Sequence, residues 1–168
     1  MAPQLWLLRH GEAVPHDSKP DAERELTPRG ERQALAAGEA MARLGLGFAA
    51  CFASPKLRAL DTARLACRTL AGEPAEDARL ASGFDSDVAL ELVGSVDGAD
   101  RRVLAVGHDP DFSQVVFDLT GARVDFKKGG VVAIRLERRR GTLIALLRPR
   151  ELESIALNTP ASLLETPG

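Results

Sequence analysis

The sequence predicts an α/β fold: a three-layer sandwich with a mostly parallel central sheet, helices on both faces and a late antiparallel hairpin. Three observations carry that reading. Short, predominantly apolar runs ("QLWLL", "FAACFA", "RRVLAVG") alternate with longer segments of helical periodicity, the pattern of parallel strands buried on both faces. Helix-start signals follow directly behind two of those runs. Near the end, "VVAIRLE" and "GTLIALLRP" stand next to each other across the basic turn "RRRG", the arrangement of a hairpin.

Taken in order, "QLWLL" is the first strand and "RHGEAVPHDSKPDAERE" a polar loop. "LTPRGERQALAAGEAMARLG" reads as a helix capped by Thr27, with Pro28 in its first turn and an apolar stripe of Ala34, Leu35, Met41 and Leu44. "FAACFA" is a short second strand. It runs into "SPKLRALDTARLACRTLAG", a helix with Ser54 as N-cap, Pro55 at its first position and Gly72 as its stop. "DARLASGFDSDVALELVGSV" holds a short extended piece and then a helix from about Ser86. "RRVLAVG" is the third strand, followed by "DPDFSQVVFDLTG", a helix opened by Asp109 and Pro110. Residues 1–150 read as a single domain, and the tail 151–168 is weakly patterned, with partial disorder expected.

Composition bounds the function classes. With 168 residues, 45% of them hydrophobic and 27% charged, the chain can bury a real core. A net charge of −2 argues against a nucleic-acid or anionic-membrane surface as the main function. No apolar run approaches the length of a membrane span, and the start of the chain lacks the basic region and cleavage pattern of a signal peptide. A cytoplasmic protein is expected. Cys51 and Cys67 are isolated, without CxxC spacing, and read as a free buried pair in a reducing compartment.

In open α/β sheets, ligands bind beyond the carboxyl ends of the strands. Three strand ends here carry unusual residues: Arg9-His10-Gly11, then Ser54-Pro55 with Arg58 in the following helical turn, then Gly107-His108. Two of the three histidines occupy such positions, whereas His16 lies in a polar loop. Taken singly, each is an ordinary polar residue. Two imidazoles and two guanidiniums converging on one sheet edge would be costly crowding unless an anion sits among them. Helix N-termini at the same rim would add donors, and phosphate is the simplest ligand to suit. A dinucleotide is not expected, because no GxGxxG turn follows the first strand.

These segments also resemble a known family. "LLRHGEA", "FASPKLRALDTA" and "VLAVGHDP", in this order and spacing, resemble the signatures of the histidine phosphatase superfamily, also called phosphoglycerate-mutase-like. The likeness covers roughly residues 4 to 120. The short chain and the loop "DAERELTPRGERQA" look most like the SixA-type phosphohistidine phosphatases.

The resemblance implies a metal-independent phosphatase acting through a phosphohistidine intermediate, with no cofactor. His10 would be the nucleophile, attacking through an unprotonated ring nitrogen. Arg9 and Arg58 would grip the phosphoryl oxygens, and His108 would stabilise charge from the opposite side. Arg24 aligns with a loop arginine of the SixA-like branch, and either touches the phosphate and its surroundings or is a solvated loop charge. Thr62 is expected to pack or bond within its helix.

The departure concerns the general acid. Larger relatives that cleave phosphate esters carry an acidic residue after the second helix. Here Leu80 to Gly83 resembles the SixA-like stretch without a glutamate in that place. Asp85 is the nearest candidate, with Asp77 behind it; the alternative reading of each is an ordinary solvated carboxylate. A phosphoramidate leaves as an imidazole and asks less of the enzyme, so a missing acid favours phosphohistidine. Short connections without room for a lid favour an open site, suited to a phosphorylated side chain on a protein. The expected partner is therefore a phosphorylated protein or a small phosphorylated substrate, with no nucleic acid and no membrane. Two other readings stay open: a broad phosphatase for small phosphomonoesters, and a phosphate- or phosphoprotein-binding module without catalysis.

Overall fold

A computed structural model describes residues 2–70 and 72–157. The strands are β1 (Gln4–Arg9), β2 (Ala50–Ala53), β3 (Ala75–Glu76), β4 (Arg102–Gly107), β5 (Val131–Glu137) and β6 (Arg140–Leu147). The helices are α1 (Pro28–Arg43), α2 (Leu57–Cys67), α3 (Ser86–Gly94), α4 (Asp111–Thr120) and α5 (Pro149–Leu157). The six strands form one sheet in the order β3-β2-β4-β1-β5-β6. β3, β2, β4 and β1 run parallel, whereas β5 lies antiparallel to β1 and β6 antiparallel to β5. The predicted sandwich and its late hairpin are therefore present.

Alternation along β1 shows how the layers form. Leu5 and Leu7 enter a core with Ala89, Leu92 and Val93 of α3 and Phe112, Val115 and Val116 of α4. Trp6 and Leu8 point the other way, into a core with Ala37, Ala40 and Met41 of α1, Ala59 and Ala63 of α2, and Leu152 of α5. Period-two alternation in a strand covered on both faces makes every residue apolar, which is why "LWLL" carries no polar phase. Among the described residues, no helix is long and apolar enough to cross a membrane.

Thr27 caps α1 as expected, accepting the Gly30 N–H, and Pro28 begins the helix. Its buried face differs from the predicted stripe. Ala34 and Met41 are buried, but Leu35 is 39% and Leu44 49% exposed. The interior side is instead lined by Gly30 and Gln33, which face the Gly11–Glu12 loop, and by Ala37, Gly38 and Ala40, with α2 approaching closely at Gly38. A Cβ at Gly38 would stand 2.2 Å from the Ala66 carbonyl oxygen, so small residues are required there and bulk is excluded.

Ser54 does not cap α2. Its N-cap is Lys56 and the helix ends at Cys67, short of Gly72. The extended piece expected after Asp77 is absent: the short strand β3 (Ala75–Glu76) precedes that segment, and Ala78–Leu80 winds into a single 3-10 turn because the Asp77 side chain caps it. Asp109 does help open α4, accepting from the Ser113 N–H and hydroxyl. The tail begins as α5, packed on α1 with Leu152 fully buried, and residues 158–168 of it lie outside the described residues. Leu152 and Ile155 join the core beside α1, so a segment that looked unpatterned is tied down by tertiary packing. Cys51 and Cys67 are free thiols, Cys67 buried and Cys51 half-buried. Burial and the Cys67 thiol raise the pKa of Cys51.

Candidate active site

Strand register brings the site together. β1 and β4 are parallel neighbours with Arg9 opposite Gly107, so His10 and His108 leave the sheet side by side. β2 pairs with β4 so that Ala53 faces Val106, which sets Ser54 beside the same exit. The His10 and His108 rings lie 5.2 Å apart between centroids, inclined at 53°. Both are buried. Burial is the main cause that lowers each imidazole from its ordinary 6.5 to about 3, with Arg58 adding to the effect at both rings. Arg9 and Lys128 lower His10 further, and the two rings press on each other at His108.

The backbone around His10 is fixed from several sides. Its N–H donates to the Gly107 carbonyl at 3.0 Å, and Gly129 N–H donates to both the Arg9 and His10 carbonyls. Gly11 N–H donates to Thr62 Oγ1, whose hydroxyl in turn donates to the Arg58 carbonyl one turn back. Thr62 thus bonds within α2 as expected and also ties α2 to the loop that carries His10. The first turn of α1 clasps the loop as well, with Gln33 Oε1 accepting from Glu12 N–H and Thr27 N–H donating to the Glu12 carbonyl. Gly11 and Gly30 are needed for that approach: a Cβ on Gly11 would stand 2.5 Å from the Gly30 carbonyl oxygen.

Two ring nitrogens have definite roles. His10 Nδ1 sits 2.7 Å from the Gly11 carbonyl oxygen, so Nδ1 carries the hydrogen and Nε2 keeps its lone pair. His108 Nε2 lies 2.8 Å from Ser54 Oγ, and that oxygen already accepts from Lys56 N–H. His108 Nδ1 is buried and has no partner. The same holds for Arg9 Nε and Arg58 Nε. Among the described residues, these three are the buried side-chain nitrogens left unsatisfied. All belong to residues that the sequence placed at one sheet edge. Buried polar nitrogens without partners are rare in folded proteins, and with two guanidinium N–H groups among them they describe a place for an anion.

Asp21 is a partner that no sequence signal marks. Arg58 donates to its carbonyl at 2.8 Å, and its carboxylate meets Lys56 at 3.0 Å, Arg24 at 3.1 Å and Arg58 at 3.3 Å. The Lys56 hydrogen bond, with those of its neighbours, holds the Asp21 carboxyl well below the usual carboxylate range. Arg24 is not a solvated charge: it is 4% exposed and donates to the Val14 carbonyl, to His16 Nδ1 and to Asp21. Those bonds hold the loop that carries Asp21 against Arg58. His16 is thus a structural acceptor. Neither candidate acid joins the cluster. Asp85 is exposed and caps α3 by accepting the Val88 N–H, and Asp77 caps the 3-10 turn while paired with Arg79 at 2.7 Å. The Arg79 hydrogen bond lowers the Asp77 pKa, the opposite of what a proton donor needs.

Residues 5–82 match the family model described as histidine phosphatase superfamily (branch 1), a span that takes in His10, Arg58 and the whole Asp21 loop. A protein from Picosynechococcus sp. is 32% identical over 139 residues, 79% of this chain and 84% of its own. The chain belongs to the histidine phosphatase superfamily. Within that superfamily its fold is SixA-like. The protein histidine phosphatase SixA, solved with tungstate, superposes with a TM-score of 0.78 at 21% identity, covering 89% of this chain and 99% of that one. A phosphoserine phosphatase from Entamoeba histolytica, solved with phosphoserine, gives 0.69 at 16% identity over 89% and 99%.

Proposed function

We propose that this histidine phosphatase removes the phosphoryl group from phosphohistidine on a protein, through a phosphohistidine intermediate on His10. The observation that carries the reading is the set of three unsatisfied buried nitrogens around a neutral His10. Neutral Nε2 attacks phosphorus in line, and the bond from phosphorus to the substrate imidazole breaks with its electron pair going to that imidazole. Arg9 and Arg58 hold the phosphoryl oxygens, and His108 donates through Nδ1–H to a third. Charge that develops on those oxygens meets donors already fixed in place, which is where most of the acceleration of phosphoryl transfer arises. Water then attacks the phosphorus of the intermediate, releasing inorganic phosphate and returning His10.

Asp85 caps α3, Asp77 pairs with Arg79 and the Asp21 carboxylate is held ionised by Lys56, Arg24 and Arg58, so none of these three carboxyls is set up to protonate an alkoxide. An imidazole leaving group takes its proton from solvent with little help, and this supports phosphohistidine over a phosphomonoester. The guanidiniums supply the positive charge that a metal supplies in other phosphatases, so no metal step is invoked.

The test compares kcat/KM in EDTA for a phosphohistidine-bearing protein and for p-nitrophenyl phosphate, with His10→Ala as control. A strong preference for phosphohistidine, abolished by the substitution, is the expected result. Comparable or faster ester hydrolysis would point to a general phosphomonoesterase. Binding of both without turnover would make the protein a phosphate-binding module.

A further inference from the structure

We propose that the basic groove leading from Arg9 to the start of α5 receives acidic side chains that flank the phosphorylated residue of a protein substrate. The inference rests on the function proposed above and adds how the partner is chosen. The groove measures about 540 Å³ and is lined by six cations, Arg9, Arg29, Lys127, Lys128, Arg148 and Arg150.

Its own acids are already engaged. Glu12 pairs with Arg29 at 3.3 Å and Asp125 with Lys127 at 3.0 Å, while Glu151 takes Arg148 at 2.6 Å. Lys128 and Arg150 close no salt bridge among the described residues, Arg150 acting on Glu151 only at longer range, and Arg9 Nε is buried without a hydrogen-bond partner. This positive surface stands on a chain whose net charge is −2. Four separated segments supply it: the end of β1, the first turn of α1, the stretch before β5 and the junction of β6 with α5. Positive charge gathered on one face against the overall balance produces a local field that attracts anions.

Arg9 belongs both to this groove and to the phosphate cluster, so the groove opens onto the reacting group. The rim is wet, with Arg29, Lys127 and Arg148 68%, 57% and 50% exposed along their side chains. Long, solvated cations do not enclose one small ligand. They suit several carboxylates on a protein surface, where they raise encounter rate and fix orientation.

The test uses two phosphohistidine peptides that differ in their flanking residues, glutamates in one and glutamines in the other, with p-nitrophenyl phosphate as a third substrate. The wild type is expected to favour the glutamate peptide about tenfold in kcat/KM at low salt, and to lose that preference at high salt. Arg148→Glu/Arg150→Glu should remove the preference and leave the glutamine peptide and p-nitrophenyl phosphate unchanged. Should that reversal misfold, Arg148→Gln/Arg150→Gln should still reduce the preference. Equal kcat/KM for the two peptides in the wild type, or a preference that survives both double variants, overturns the inference while the glutamine peptide's turnover leaves the proposed function standing. Turnover of p-nitrophenyl phosphate alone removes the proposed function and this inference with it.

Discussion

Ser54 Oγ and His108 Nε2 are hydrogen-bonded across 2.8 Å, joining the end of β2 to the end of β4. With the Ser54 hydroxyl as donor, the His108 hydrogen stands on Nδ1, the nitrogen that the proposed mechanism uses. Ser54→Ala frees the tautomer to shift and leaves Nε2 unsatisfied in a buried site. We expect kcat/KM to fall by about tenfold, with KM less affected than kcat and the fold intact. Ser54→Thr keeps a hydroxyl and should retain most of the activity. Indistinguishable kinetics for Ser54→Ala would show that the bond does not set the tautomer.

His10→Ala should lower turnover by at least about 10³-fold, as loss of a nucleophile does. Because His10 contributes chemistry and little apolar packing, the thermal midpoint should change little. Rapid quench with labelled substrate should trap acid-labile phosphate on the wild type and none on the variant. Trapped phosphate on His10→Ala would assign the nucleophile elsewhere.

Arg58→Ala should reduce kcat/KM by about 10²- to 10³-fold, and Arg58→Lys should restore only part of it, since an ammonium cannot fork onto two oxygens. Full activity in Arg58→Lys would remove the bidentate argument. Asp21→Asn tests the other side of that contact. Without its charge, Arg58 loses a competitor for the phosphate and a brace at once, and the sign of the change in KM reveals which of the two dominates.

Burial lowers both imidazoles to about 3 in the folded state, against 6.5 when free. Between those values the unfolded chain binds more protons than the folded one. Stability therefore rises with pH through that window, is fully present above 6.5 and is lost as pH falls toward 3. Unfolding in the window should take up about two protons from these rings. Nuclear magnetic resonance should show neither imidazole titrating near 6.5. A midpoint there for His10 would contradict the desolvated, neutral nucleophile.

Gly30→Ala should be strongly destabilising, because its Cβ would come within 2.0 Å of the Glu12 carbonyl oxygen. Overpacking of this kind costs about 1–3 kcal/mol. Since Glu12 is two residues from His10, kcat should fall together with the thermal midpoint. A variant as stable and active as the wild type would show that the loop can move away from α1.

Much of this was legible along the chain. Apolar strands buried on two faces and helices begun by Thr27 and Pro28 are local properties, written in neighbouring residues, and so is the delivery of Arg9, His10 and His108 to strand ends. The errors came where packing outvotes pattern. Leu35 and Leu44 fit a helical stripe, but α2 sits too close for large side chains, and alanines and glycines took the buried face. The start of the tail holds only about two helical turns, too short to stand out along the chain, and α5 packs with Leu152 in a fully buried place beside α1. Asp85, the candidate acid by position, accepts the Val88 N–H as the cap of α3, a contact that its place before a helix explains.

By itself the sequence determined the α/β class and placed two imidazoles and two guanidiniums at sheet ends. Tertiary structure decided which atoms face one another. Ser54 and His108 are 54 residues apart, and Asp21 and Arg58 are 37 apart. Contacts across such separations depend on strand order and register, which put β4 between β2 and β1. Local propensity cannot fix that order, because it arises only when all the strands bury their faces together.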